Sequence, residues 1–176
     1  MDEERKLVEK YGLKNKRELW KAQSTLRGFR RQARDLQARI RAGEPQAQRE
    51  TDLLTARLVR LAILAGGSPT LDDVLALSIE DILKRRLEWV VWTKGLSPTV
   101  WGSRQLIVHG HLSAGGHRVT RPGFLVPAEL ESSIAYTPTS PLQNEDHPIR
   151  VALRERQTPR PEEPMAAAPA PPTGGG

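Results

Sequence analysis

The apolar positions along the chain predict a mostly helical protein. Between Asn15 and about Ala42, the residues Leu19, Ala22, Leu26, Phe29, Ala33, Leu36 and Ile40 recur at alternating spacings of three and four. That spacing draws one stripe along a helix. Asn15 followed by Glu18 fits an N-terminal capping box, and Gly43 with Pro45 supplies the stop. A shorter helix is expected before it, over Glu3 to Lys10, ending at Gly12. A third is expected over Gln46 to Ala65, with Leu54, Leu58, Leu61 and Ala65 on one face and Gly66-Gly67 as its end. Thr70 can cap a short helix through Leu77, and Ser78 with Asp81 can cap the next. From Ser78 to about Lys94 one helix should carry Ile82, Leu83, Leu87, Val90 and Val91 inward, with Gly95 ending it in a left-handed turn and Leu96 tucking back.

Beyond that helix the pattern changes. Thr99 caps a helix to His109, ended by Gly110. Two short strands follow, His111–Ala114 and Arg118–Thr120, joined at Gly115-Gly116, a pair suited to a tight hairpin. Leu130–Tyr136 adds a last strand. The remainder is rich in Pro, Ala and Gly and is expected to be extended or disordered. The expected class is therefore α+β, mainly helical. A helical N-terminal region (1–77) precedes a small domain of two packed helices and a short antiparallel sheet (78–136), then the tail (137–176).

Charge sharpens this picture. The chain of 176 residues carries a net charge of +6, but unevenly. Residues 1–43 hold 13 Lys/Arg against 6 Asp/Glu, and residues 84–127 hold 7 against 1. The intervening 44–83 is acidic, with 3 against 7. Two basic blocks around an acidic spacer imply a large polyanion touched at two places. There is no cysteine, which excludes disulfides and cysteine-based zinc sites. No apolar run reaches the roughly 18–20 residues that span a bilayer, and residues 1–5 lack the apolar core of a signal peptide. No membrane partner is expected, and the protein reads as cytoplasmic.

Arg86-Leu87, Lys94-Gly95-Leu96, Ser103-Arg104-Gln105 and His109-Gly110-His111 together resemble the S-four RNA-binding domain. The run from Tyr11 to Ala22 resembles the archaeal/eukaryotic form of the small-subunit ribosomal protein S-four family. Ser140-Pro141-Leu142 and His147-Pro148-Ile149-Arg150 fit the C-terminal region of that family, so the resemblance covers residues 3 to about 150. It implies a structural constituent of the small ribosomal subunit that binds small-subunit ribosomal RNA at a multi-helix junction, early in assembly. It also implies ribosomal protein S-five as a neighbour and messenger RNA (mRNA) passing close by. The sequence departs from the family at Pro98 and Trp101, where a basic residue is usual, at Ser103, usually Ala, and at Ala114-Gly115. The resemblance carries over no contacts from the basic leader that precedes the first helix in the family.

The residues expected to meet RNA are Lys14, Lys16, Arg17, Lys21, Arg27, Arg30, Arg31 and Arg34 in the first block. In the second they are Arg85, Arg86, Lys94, Arg104, Gln105, His109, His111, His117, Arg118 and Arg121. Arg104, His109 and His111 are expected to form a corner that grips phosphate, with Arg104 held on a packed helix for two parallel hydrogen bonds. His109, His111 and His117 find no nearby acid or cysteine to complete a metal site, so no metal and no cofactor are expected. No Gly-rich phosphate loop, nucleophile elbow or paired acidic motif indicates catalysis. The rival reading is a stand-alone RNA-binding module, such as a ribosome-rescue factor built on the same domain.

Overall fold

In the computed structural model, which describes residues 2–157, the N-terminal region is a helical cluster around one long helix. Helix α1 (Asp2–Lys10) leads into α2 (Lys16–Arg41), followed by α3 (Pro45–Arg60), α4 (Leu71–Ala76) and α5 (Ile79–Leu83). The stripe read from the sequence is the buried one: Leu19, Ala22, Leu26, Phe29, Ala33 and Leu36 face inward, while Ile40 stays exposed at the end. Helix α2 packs against α1, α3, α4 and α5, and all five share one apolar core. The caps of α4 and α5 are full capping boxes, Thr70 with Asp73 and Ser78 with Asp81.

The helices and the C-terminal stretch differ from expectation in three places, where contacts distant in sequence override the local pattern. Helix α3 ends at Arg60 rather than Ala65, because Ala62 turns left-handed (φ 50°) and drops Ile63 and Leu64 into the core. The single helix expected from Ser78 to Lys94 is two. Arg86 is extended (φ −69°, ψ 141°) between α5 and α6 (Leu87–Thr93), and this break lets the chain pair with residues 124–126. Leu87 N–H donates to Phe124 at 2.8 Å and Val126 N–H to Arg85 at 2.8 Å. Thirdly, the stretch from 137 is not extended throughout. Thr137, Ser140 and Leu142 are buried, Pro141–Gln143 form a 3-10 turn, and α9 spans Pro148–Gln157 with Leu153 buried. Ser140 caps the turn and Pro148 opens α9, where its missing N–H costs nothing. Residues 158–176 of the expected tail lie outside the described residues.

The second module has its own core, formed by Leu87, Val90, Val91, Leu106, Ile107 and their neighbours. Helix α6 packs on α7 (Val100–Val108), whose N-terminus is capped by Thr99. Between them Gly95 is left-handed (φ 71°) and Leu96 packs back against the core. The sheet is antiparallel, in the order β2 (His117–Arg118), β1 (Leu112–Ala114), β3 (Ala135–Tyr136). Of the last expected strand, Leu130–Tyr136, only Ala135 and Tyr136 pair with β1; Leu130 and Glu131 belong to α8 (Ala128–Glu131), and residues 132–134 join the two. Among the described residues, no helix is long and apolar enough to cross a membrane.

Candidate nucleic-acid interface

The two modules meet across a seam of rings and charges. Trp89 on α6 lies against Tyr11 with ring centres 4.5 Å apart, and against Trp92 at 4.8 Å. Trp89 is therefore the packed member of that pair, and Trp92 stands at the rim. Beside them, four ionisable side chains interlock. Arg86 donates from Nε to Glu88 Oε1 (2.8 Å) and from Nη2 to Glu18 Oε2 (2.6 Å). Arg104 donates from Nη1 to Glu88 Oε2 (2.7 Å), to Glu18 Oε2 (3.2 Å) and to the Gly12 carbonyl (3.3 Å), and its Nη2 bonds Glu18 Oε1.

This seam revises two expectations. Asn15 does cap α2, accepting from the Glu18 amide at 3.2 Å, but the Glu18 carboxylate does not complete the box. It crosses to the second module instead. Arg86 and Arg104 do not face outward as phosphate ligands. Both guanidiniums are turned into the protein onto two carboxylates, so the expected corner of Arg104, His109 and His111 is broken up. Glu88 is completely buried, and burial pushes its carboxyl up to about 7 against the opposing pull of Arg86 and Arg104. Glu18 also feels burial, but hydrogen bonding from Arg104 and the charges of Arg86 and Arg104 hold it below the usual carboxylate range.

Other expected residues are also engaged within the chain. Arg85 donates to the Val126 carbonyl (2.7 Å) and pairs with Glu131 (2.9 Å). Lys94 donates to the carbonyls of Glu131, Ser132 and Ile134, tying α6 to the loop before β3. Arg30 donates to the Leu77 carbonyl at 2.5 Å, joining α2 to the end of α4. Lys16 pairs with Glu4 at 3.3 Å. His111 Nδ1 lies 3.0 Å from Ser140 Oγ, and Arg118 donates to the His109 carbonyl at 3.1 Å.

The exposed positions are Lys14, Arg17, Lys21, Arg27, Arg31, Arg34, Lys94, Gln105, His109, His117, Arg118 and Arg121. Arg27, Arg31 and Arg34 share the face of α2 turned away from its buried stripe. The structure then adds two arginines that the sequence reading passed over. A cleft of about 750 Å³ between the modules is lined by Lys21 from α2, Arg57 and Arg60 from α3, and Arg121, with Glu18 and Arg86 among its deeper residues. Arg57 and Arg60 belong to the block whose net charge is negative, which masked them. Their spacing of three and their exclusion from the stripe Leu54, Leu58, Leu61 were the available signals.

The paired helices α6 and α7 with the hairpin after them make this an S4-domain protein, since the S4 domain pattern matches residues 85–131. The match begins at Arg85, beside the break between α5 and α6. Over 153 residues the chain is 51% identical to the small ribosomal subunit protein uS4 of Thermoplasma acidophilum, covering 87% of this chain and 76% of that one. It is 51% identical over 153 residues to the uS4 protein of Picrophilus torridus, with 87% and 83% covered. Against the uS4 protein of Methanococcus maripaludis strain C6 it is 47% identical over 152 residues, with 86% and 84% covered. The chain belongs to the uS4 family of small ribosomal subunit proteins, and a ribosomal structural role follows from that membership.

Proposed function

We propose that the protein is a primary binder of small-subunit ribosomal RNA, gripping a multi-helix junction through two cationic surfaces held in fixed register. The observation that carries this reading is the cleft where Lys21, Arg57, Arg60 and Arg121 converge from three parts of the chain. Fixed cations on a rigid frame recognise the backbone spacing and shape of folded RNA, whose deep groove hides the bases. The buried quartet of Glu18, Glu88, Arg86 and Arg104 supports the reading indirectly, since it holds the two basic blocks at one mutual angle. Such a protein nucleates subunit assembly by bracing RNA helices before other proteins arrive. In the assembled subunit it neighbours ribosomal protein S-five and contributes to translational accuracy where mRNA enters. It acts as a structural component, without catalysis. A stand-alone rescue factor is disfavoured, because the identity to uS4 proteins extends across the N-terminal helical region as well as the S4 domain.

The test is RNA affinity against salt, using a transcript of the small-subunit ribosomal RNA. Each phosphate contact adds about 0.7–0.9 to the slope of log affinity against log salt. The double substitution Arg57→Gln and Arg60→Gln is expected to weaken binding and lower the slope by roughly 1.5, with melting unchanged. An unaltered slope would remove the cleft from the RNA-binding surface.

A further inference from the structure

A second hollow, of about 830 Å³, adjoins the basic cleft, and Pro122 lines both. Its wall is a stripe on α7. Trp101 is 50% exposed and Val108 54% exposed, with the exposed Gln105 between them in the same helical register. Pro98 and two exposed basic residues, Lys14 and His109, complete the mouth. Among the described residues, no carboxylate lines this hollow, and no other ring stacks on Trp101. A half-exposed indole beside the exposed Val108 presents apolar surface at a concave site, the kind of patch that marks an interaction surface.

We propose that this groove receives an unpaired nucleotide of the bound RNA, with the base stacked on Trp101. Gln105 carries both a donor and an acceptor for the base edge, and Lys14 and His109 suit the adjoining phosphates. RNA fits better than a neighbouring protein for two reasons. The charge of the mouth is of one sign, and the groove continues into the basic cleft at Pro122, so one strand can thread both. Stacking on an aromatic ring tolerates any base, so the site adds affinity at an unpaired position rather than reading a particular sequence. The inference rests on the RNA-binding role proposed above.

The experiment uses the full chain and a transcript of small-subunit ribosomal RNA, comparing wild type, Trp101→Ala and Trp101→Phe. Loss of the stack in Trp101→Ala is expected to weaken binding roughly tenfold or more at fixed salt. The salt slope should stay unchanged, because a stacked base displaces no counterion. Trp101→Phe should recover most of the affinity. Ultraviolet cross-linking of the wild-type complex should place the peptide containing Trp101 on an unpaired nucleotide. Equal affinity for Trp101→Ala and wild type would overturn the inference while leaving the RNA-binding role intact, and would assign this face to a protein neighbour. A loss that Trp101→Phe does not recover, or a cross-link confined to paired regions, would overturn it too. Failure of the wild type to bind the transcript would sink both readings together.

Discussion

Glu18 and Glu88 are held by the same two arginines, yet the fold moves their proton affinities in opposite directions. For Glu88 burial wins, so the folded protein holds a proton there up to about pH 7. A carboxyl whose folded value is raised favours folding below its unfolded value near 4.5. That contribution is withdrawn as pH climbs toward 7. For Glu18 the arginines win. Its contribution is present above its unfolded value near 4.5 and is lost as pH falls through its lowered folded value. Wild type should therefore melt highest in mildly acidic buffer, with a decline on each side. Glu88→Gln should flatten the decline toward neutral pH. Glu18→Gln should blunt the acid decline and cost on the order of 3 kcal/mol at pH 7, since Arg86 and Arg104 would then share one carboxylate. Thermal melts of the three proteins across pH 4 to 8 check this, and parallel curves for wild type and Glu88→Gln would refute it.

At the scale of elements, the parts legible in the sequence were those that local chemistry decides. Asn15, Thr70, Ser78 and Thr99 each cap the helix expected of them, because a side-chain oxygen can satisfy a free amide within its own turn. What could not be read depended on partners far along the chain. Arg86 leaves the helix because residues 124–126 offer backbone pairing, and periodicity across Ile82, Leu83 and Leu87 continues through the break without a trace. The early end of α3 needs Ala62 in a left-handed conformation that its type disfavours, so tertiary packing of Ile63 and Leu64 decided it. Gly110 shows a glycine stop with a second duty. It is left-handed (φ 75°), and a Cβ there would lie 1.9 Å from Arg118 Nε. Gly110→Ala should cost about 1–2 kcal/mol for the backbone alone, and more because the Arg118 guanidinium must leave the His109 carbonyl. In an Arg118→Ala background the same substitution should cost only the backbone share. Denaturant midpoints of the single and double variants measure the difference, and equal costs in both backgrounds would show that Arg118 is not held there.

For the whole molecule, the segregation of charge pointed to two basic blocks, but it did not say which cations remain available. Arg86 and Arg104 sit in the motifs that looked most like an RNA grip, and the fold consumes both in the seam. Sequence separation hides this, since Glu18 lies 86 residues from Arg104. The seam also decides how the N-terminal block should be tested. Removing residues 1–43 would strip Glu18 and Tyr11 from the second module, so lost binding could not be assigned to lost phosphate contacts. Neutralising the outer face of α2 avoids that. Arg27, Arg31 and Arg34 are exposed, and they follow one another at spacings of four and three opposite the buried stripe. Changing all three to Gln should shift stability by no more than about 0.5 kcal/mol per site, as is usual on a surface. If this face lies along RNA, the slope of log affinity against log salt should fall by about 2–3, one phosphate for each lost cation. Combined with Arg57→Gln and Arg60→Gln, the losses in slope should add, because the two sets neutralise separate phosphates. A triple variant that melts like wild type and keeps the full slope would instead place a protein neighbour on α2 and confine RNA to the cleft and the S4 domain.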